Sequence, residues 1–160
     1  MIPSLIVFDL DFTLWDCGGT WCDCLRPPFR KHGNQVQDSR GYHIQLYDEV
    51  PQVLDRCDEL GISMALASRT KQPAWARELI RMLEVSDRFA EAEIYPSSKV
   101  RHFRALCAAT NLRPESMLFF DDEMRNIVEC AELGVTCVHV ETGMSMQLLE
   151  QGLEAFRRCQ

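Results

Sequence analysis

The chain has 160 residues, 46% of them hydrophobic and 26% charged, and a formal net charge of -7 at pH 7. This length suits a single domain (residues 1–160), and the negative charge argues against a protein that binds nucleic-acid backbones. No apolar run approaches the roughly 20 residues of a membrane span, and the start of the chain lacks the basic segment of a signal peptide.

Short, mainly apolar runs alternate with patterns of helical spacing along most of the chain. Such runs are typical of buried parallel strands. A proline in the first turn and a glycine after the last turn mark the limits of helices, and Pro73, Gly61 and Gly134 stand at such limits. In chain order we predict a strand at 5–10, a helix at 50–60, a strand at 62–67, a helix at 73–83, a strand at 92–95, a helix at 100–109, a strand at 117–120, a helix at 127–133, a strand at 135–140 and a helix at 146–156.

Strands that alternate with helices at this spacing predict right-handed crossovers and a parallel sheet covered on both faces. The predicted fold class is α/β, a doubly wound three-layer sandwich with a central, mainly parallel five-stranded sheet. Residues 15–47 are the exception, because they are rich in Gly, Pro, Cys and aromatic residues and follow no sustained period. This segment is too short for a second domain and too long for a bare loop. We therefore predict a compact flap or hairpin beside the end of the first strand.

Polar and charged residues follow the predicted strands. In open α/β sheets, ligands bind beyond the carboxyl ends of the strands, where the strand order reverses, so the strand ends indicate where a functional site lies. They carry carboxylates, hydroxyls and two cations: Asp9, Asp11 and Thr13 at the end of the first strand, Ser68 and Arg69 at the end of the second, Lys99 at the start of the helix after the third, and Asp121 and Asp122 at the end of the fourth.

The carboxylates at this edge predict a bound cation. Two carboxylates 4 Å apart repel each other by about 4 kcal/mol at an effective dielectric constant near 20, so either their pKa values rise or a cation joins them. Oxygen ligands, with no His at any predicted strand end, favour Mg²⁺ over Zn²⁺. Asp9 and Asp11 are two residues apart and would project on one side of a continuing strand. One could then attack phosphorus while the other protonates the leaving oxygen.

Each of these residues also has an ordinary explanation. A lone D-x-D pair is common, and residues 121–122 could simply cap the following helix. Ser68 could be a turn residue, and Lys99 could be a solvated surface lysine. These explanations do not predict that such residues follow successive strands in order, and we therefore favour a functional site.

Four motifs in this order resemble those of the haloacid dehalogenase superfamily of aspartate-nucleophile phosphohydrolases. The first, D-x-D-x-T, occupies residues 9–13, and the second, a Ser or Thr at the end of strand two, is Ser68. The third, a Lys at a helix start, is Lys99. The fourth is the acidic pair 121–122, with Asn126 four residues later where an acid or Asn is usual. The resemblance covers nearly the whole chain.

The resemblance implies a role for each residue. Asp9 would attack phosphorus and form an aspartyl-phosphate, and Asp11 would be the general acid and then the base. Mg²⁺ would bind the Asp9 carboxylate, the Asp11 backbone carbonyl and the Asp122 carboxylate. Around them would stand the phosphate-binding residues Ser68, Arg69 and Lys99 and the supporting residues Asp121, Asn126 and Thr13.

The details of the resemblance narrow the expected activity. The dehalogenase branch typically lacks the second Asp of the first motif, so Asp11 favours phosphate chemistry. Neither interval that holds a cap domain in relatives has room for one here. A capless member has an open site, which suits a protein phosphoresidue or an exposed sugar phosphate and disfavours a phosphomutase. Trp15, Trp21 and Arg69 are available to line such a site.

A narrower resemblance is to the eukaryotic magnesium-dependent phosphatase one family. The segments FDLDFTLW and FFDDEMRN and the short flap carry this resemblance. It implies a small cytosolic phosphatase that acts on aryl phosphates such as phosphotyrosine, or on sugar phosphates. Nothing marks a dimer interface, so a monomer is the default.

Two other functions would also explain some of these residues. A cysteine-dependent phosphatase needs Cys-x₅-Arg, which Cys24 and Arg30 satisfy. Their segment has no glycine to help cradle phosphate, and the composition makes such a match common by chance. A phosphate-sensing or protein-binding module would bind ligand with Mg²⁺ but without turnover. Inactive relatives usually lose an acid of the first or fourth motif, and here those acids are present.

The cysteines of the flap offer a zinc site as a third alternative. The ligands would be Cys17, Cys22 and Cys24 with His32 or His43. Their spacing is not a paired C-x₂-C framework, which makes the indication weak. Buried cysteines in a reducing cytosol explain the same residues more simply.

Overall fold

The structure, a computed structural model, describes residues 1–159. Its strands are β1 (Leu5–Phe8), β2 (Trp15–Asp16), β3 (Arg30–His32), β4 (Gln35–Gln37), β5 (His43–Leu46), β6 (Ser63–Ser68), β7 (Glu91–Ile94), β8 (Met117–Asp121) and β9 (Thr136–His139). Its helices are α1 (Val50–Glu59), α2 (Pro73–Met82), α3 (Lys99–Thr110), α4 (Met124–Glu132) and α5 (Met146–Arg158). No helix among residues 1–159 has the length and apolar character needed to cross a membrane.

A five-stranded parallel sheet forms the centre of the molecule, with the strand order β7-β6-β1-β8-β9. The chain runs outward from β1 through β6 to β7 and then returns to place β8 on the other side of β1. Leu5 of β1 therefore pairs with Ser63 on one side and with Met117 on the other. The strand order reverses between β1 and β8, which is the position where open α/β sheets bind ligands.

Helices cover both faces of this sheet. Alternate residues of β1 enter separate apolar clusters: Ile6 and Phe8 pack into one with α1, α2 and α5, and Leu5 and Val7 into the other with α3 and α4. On the first face α5 lies so close that a Cβ at Gly152 would come within 2.6 Å of Phe120 Cζ. The predicted three-layer α/β fold is thereby confirmed.

The predicted helices and central strands are all present, with small differences at their ends. The structure ends β1 at Phe8 instead of residue 10, and it begins α4 at Met124, ahead of the predicted helical stretch 127–133. Gly61 and Gly134 follow their helices with φ of +69° and +99°, values that favour glycine. Ser98 caps α3 by accepting a hydrogen bond from the Arg101 backbone N–H, which fixes the start of α3 beside the sheet edge.

The segment predicted as a flap or hairpin is more ordered than that expectation. It forms a second, antiparallel sheet with the strand order β2-β5-β4-β3, and a 3₁₀ turn at Cys22–Cys24 joins β2 to β3. We call residues 15–46 the flap sheet. β2 lies only four residues beyond Asp11, so the flap sheet is attached directly to the end of β1.

Candidate active site

A cavity of about 540 Å³ lies at the carboxyl ends of β1, β6 and β8. The flap sheet contributes Trp21 and Asp23 to its wall. The cavity is lined by seven of the nine residues that the sequence indicates for the site: Asp9, Asp11, Ser68, Arg69, Lys99, Asp122 and Asn126. The remaining two, Asp121 and Thr13, are buried beside it.

Lys99 is the buried cation of this site. Its side chain is 1% exposed, and its Nζ lies 2.9 Å from Asp9 Oδ1 and 3.1 Å from Asp121 Oδ2. It also donates to the Ala67 carbonyl. Burial lowers the pKa of Lys99, but the charges of Asp9 and Asp121 and their hydrogen bonds together raise it by more. The net direction of the pKa is therefore upward. Lys99 therefore stays protonated and holds the end of β1 to the end of β8.

Three carboxylates converge beside Lys99. One oxygen from each of Asp9, Asp121 and Asp122 lies within 4.8 Å of the others. Mainly because of burial, the pKa rises to about 7 for Asp9, about 7 for Asp121 and about 6 for Asp122. A hard divalent cation fits this set of oxygen ligands, because it would offset the charge that burial makes costly. The cluster could therefore hold a metal ion.

Asp121 differs from the other two acids because protein groups already occupy its oxygens. Its Oδ1 accepts from the Glu123 backbone N–H at 2.7 Å, and its Oδ2 accepts from Asn126 Nδ2 at 3.1 Å as well as from Lys99. Asn126 Oδ1 in turn accepts from Arg69 Nη1 at 3.0 Å. Asp121 thus orients Lys99 directly and Arg69 through Asn126. Its hydrogen bonds fit the supporting role that the resemblance implies.

Asp11 is held by the flap sheet. Its Oδ1 accepts from Trp15 Nε1 at 2.7 Å and from the Cys22 backbone N–H at 2.9 Å, and Cys17 Sγ lies 3.7 Å away. Burial raises the pKa of Asp11 despite these donors. Its carboxyl is not part of the close carboxylate cluster, so only its backbone carbonyl, as the resemblance implies, is left as a possible ligand from this residue.

The turn that follows Asp11 has an unusual backbone. Phe12 has φ of +61°, a value uncommon for a residue with a side chain. The turn is closed by hydrogen bonds from the Phe12 N–H to the Trp15 carbonyl and from the Thr13 N–H to the Leu10 carbonyl, both 3.0 Å. Thr13 lies behind the cavity wall: its carbonyl accepts from the Met144 N–H at 2.8 Å, and its Oγ1 is buried without a protein partner.

Ser68 ends β6 and lines the cavity, and its Oγ accepts from the Thr70 N–H at 3.3 Å. Trp21 also lines the cavity, with 52% of its surface exposed and its ring edge-on to Phe12 at 5.7 Å.

The expectation that Trp15 lines the site is wrong, because Trp15 is 1% exposed and contacts Asp11 from behind. The irregular sequence of the flap gave no indication of that contact.

One residue beside the site contradicts an expectation drawn from the sequence. His139 ends β9, although no His was expected at a strand end. The predicted strand extended to residue 140, which placed His139 inside it. Its Nε2 lies 2.8 Å from the Asp122 backbone carbonyl, so it supports the acidic loop instead of joining the carboxylate cluster.

The cysteines lie apart from any cluster of metal ligands. All eight are unpaired, and within residues 1–159 the carboxylate cluster is the one group of three or more His, Cys, Asp or Glu ligand atoms. Burial raises the pKa of Cys17 and Cys22, so both are neutral thiols. Cys24 and Arg30 are exposed and lie outside the cavity lining.

The parallel sheet, its strand order and the aspartates at the ends of β1 and β8 define a hydrolase fold of the haloacid dehalogenase superfamily. A crystal structure of a superfamily hydrolase from Ehrlichia chaffeensis superposes with a TM-score of 0.65 at 16% identity, covering 99% of this chain and 98% of that one. The crystallised N-terminal part of a Bacteroides fragilis protein, which contains a phosphatase domain and is complexed with Mg, gives a TM-score of 0.61 at 17% identity and covers 99% of this chain. This chain spans 40% of that crystallised part.

A family model described as Acid Phosphatase matches residues 1–159, and the chain belongs to that family. Human magnesium-dependent phosphatase 1 is 46% identical over 161 residues, which covers 99% of this chain and 90% of the human protein. The resemblance indicated by the sequence motifs is confirmed.

Proposed function

We propose that this chain is a Mg²⁺-dependent phosphomonoester hydrolase that works through an aspartyl-phosphate on Asp9. The observation that supports this most directly is the buried Lys99 between Asp9 and Asp121, 2.9 and 3.1 Å away, at the point where the strand order reverses. The name of the human relative supports both the reaction and the metal. The proposal treats residues 1–160 as one phosphatase domain with the flap sheet as an insertion.

Asp9 is the proposed nucleophile. Its carboxylate attacks phosphorus in line, and the bond from phosphorus to the leaving oxygen breaks as the bond to Asp9 forms. Lys99 holds Asp9 Oδ1, which orients the carboxylate and offsets negative charge as the phosphoryl group arrives. Ser68 and Arg69, which line the cavity beside Asp9, are the other proposed partners of the phosphoryl oxygens.

Asp11 is the proposed acid and base. Burial raises its pKa, which favours the protonated form that must give a proton to the leaving oxygen. Water then attacks the phosphoryl group, Asp11 takes the proton from that water, and the bond from phosphorus to Asp9 breaks. The Asp9 and Asp122 carboxylates and the Asp11 backbone carbonyl are the proposed ligands of Mg²⁺. When bound, the ion neutralises the acids and the substrate phosphate.

The proposed substrate is a small or exposed phosphomonoester, with aryl phosphates such as phosphotyrosine favoured and sugar phosphates as the alternative. The half-exposed Trp21, edge-on to Phe12, offers an aromatic wall on the same side of the site as Asp11, where the leaving group must lie.

Eight unpaired cysteines support a reducing, cytosolic compartment. A monomer stays the default.

Hydrolysis of p-nitrophenyl phosphate by purified protein tests the proposal. We expect turnover with Mg²⁺, loss of turnover with excess chelator and recovery when Mg²⁺ is restored. Phosphotyrosine and a sugar phosphate, assayed in parallel, would separate the two substrate classes. Turnover that resists the chelator would favour the Cys24 hypothesis, and Mg²⁺-dependent phosphate binding without any turnover would favour a binding module.

A second prediction concerns the pH dependence of metal binding. The raised pKa values of about 7, 7 and 6 for Asp9, Asp121 and Asp122 mean that the folded protein holds protons there that the unfolded chain has lost. Without metal, the stability that these protons provide falls as the pH rises toward 7. Mg²⁺ competes with the protons, so the increase in Tm that it produces should be larger near pH 8 than near pH 5.5.

Thermal melts with and without Mg²⁺ at the two pH values would measure this difference. Asp122→Asn is the control, because it removes one proposed ligand and should reduce the increase at the higher pH. An increase of equal size at both pH values, or one that Asp122→Asn leaves unchanged, would place the metal elsewhere.

A further inference from the structure

We propose that Trp15 is a positioning residue for the general acid, and that its indole N–H, with the Cys22 backbone N–H, fixes which oxygen of Asp11 carries the transferable proton. This proposal rests on the proposed function, since it assumes that Asp11 protonates the leaving group. Through Trp15 and Cys22 the flap sheet then has a role in the reaction.

The contacts to Asp11 converge on one oxygen. Trp15 Nε1 and the Cys22 N–H both donate to Oδ1, at 2.7 and 2.9 Å, and the Cys17 thiol lies 3.7 Å from the same atom. Trp15 and Cys22 are almost completely buried, so water does not compete for these bonds. Because Oδ1 is committed as an acceptor, the acidic proton of Asp11 must be carried by Oδ2.

The indole is itself fixed in place. The backbone of Trp15 pairs with Leu46 across β2 and β5, bridges to Asp11 and accepts the Phe12 N–H at its carbonyl. The ring is among the largest fully buried side chains of residues 1–159. Because the backbone is paired and the ring is buried in a packed interior, the carboxyl that the indole binds keeps one orientation.

This orientation matters in both halves of the reaction. In the first, the Oδ2 proton passes to the leaving oxygen as that oxygen separates from phosphorus and Asp9 binds phosphorus. In the second, the Asp11 carboxylate takes a proton from the attacking water, and the Asp9–phosphorus bond breaks. The two N–H donors at Oδ1 stabilise the intervening carboxylate without touching the substrate.

The hydrogen bond from the Cys22 N–H also joins Asp11 to the wall of the cavity. Cys22 directly follows Trp21, which lines the cavity, and starts the 3₁₀ turn at Cys22–Cys24. Cys22 Sγ lies 3.3 Å from Thr70 Oγ1, just beyond β6. The segment that meets the leaving group is therefore the segment that orients the acid.

Trp15→Phe tests the proposal because it keeps an aromatic ring and removes the N–H, together with part of the ring volume, which the control below also loses. We expect kcat/KM to fall about tenfold for an alkyl phosphate, whose leaving group needs a proton, and less than about threefold for p-nitrophenyl phosphate, whose leaving group does not. The KM for p-nitrophenyl phosphate and the inhibition constant for inorganic phosphate should stay unchanged. Trp75→Phe is the matched control, since Trp75 packs against Phe29 away from the cavity lining, and it should affect both substrates little.

Asp11→Asn supplies the reference for this experiment. It should lower kcat/KM by about 10² or more for the alkyl phosphate and much less for the activated one, and adding Trp15→Phe to it should cause no further selective loss. Equal losses of Trp15→Phe on both substrates, or additive losses in the double variant, would overturn the positioning role. If Asp11→Asn itself shows no dependence on the leaving group, the acid assignment within the proposed function is the part that fails.

A second variant covers the case in which Trp15→Phe does not fold. Cys22→Pro removes the other N–H donor at a position, the first of a 3₁₀ turn, where proline is tolerated, and Cys22→Ala keeps that N–H. The proposal expects a loss selective for the alkyl phosphate with proline and not with alanine. The same behaviour from both variants would count against it.

Discussion

Replacing Asp9 by Asn should abolish turnover, with kcat reduced by about 10⁴-fold or more, while the fold is retained. The amide lacks the charge and nucleophilicity needed to attack phosphorus. Its oxygen can still accept the Lys99 hydrogen bond, now 2.9 Å long. Burial already raises the Asp9 pKa to about 7, so a neutral side chain at this position should cost the metal-free protein little stability.

Single-turnover hydrolysis and a thermal melt of the same preparation would measure both effects. Asp23→Asn is the matched control, because Asp23 lines the same cavity but belongs to the flap sheet and not to the carboxylate cluster. It should keep turnover within about threefold of the unmodified protein. Near-normal turnover by Asp9→Asn would remove Asp9 as the nucleophile.

The parts of the site that the sequence predicts are those that depend on the sheet. Lys99 and Asp121 are 22 residues apart in the chain, yet each follows or ends a strand of the same parallel sheet, β7 or β8, and such strands end at one edge. That rule brings their side chains together without any knowledge of the helices between them. The same rule explains why Asp9, which follows β1 near the start of the chain, could be placed in the cluster with Asp121.

The parts that the sequence does not predict depend on the flap sheet and on exact strand ends. Trp15 and Cys22 stand in a segment without a period, and only the antiparallel pairing of β2 with β5 brings the indole onto Asp11. His139 was missed because a difference of one residue at the end of β9 decides whether it lies inside the sheet or at its edge. Local pattern gives the type of an element more reliably than its last residue.

Replacing Lys99 by Met should cost both activity and stability, and the cost should depend on pH. The variant leaves Asp9 and Asp121 buried without their shared cation, a change that typically destabilises a protein by about 3–5 kcal/mol. Both acids have a pKa of about 7 in the folded protein against an ordinary value of 3.8, and Lys99 is a cause that lowers each one. Without Lys99 the two values should rise further.

The sign of the pH effect follows from these values. An acid whose pKa is raised by folding is protonated in the folded chain and ionised in the unfolded chain between the two values, so the stability it provides falls as the pH rises. In chelator, the free energy of unfolding of Lys99→Met should be much lower than that of the unmodified protein near pH 8 and closer to it near pH 5.5. Urea unfolding at both pH values would measure this.

Lys31→Met is the matched control for the loss of a lysine charge. Lys31 pairs with Glu84 at 3.0 Å on the surface, where such a pair contributes about 1 kcal/mol or less, so its loss should be small at both pH values. If Lys99→Met were no more destabilising than Lys31→Met, the buried cation would not be what holds β1 and β8 together at the site. A large loss that does not change with pH would instead point to lost packing of the lysine stem, and the carboxylate cluster would then be stable without a cation.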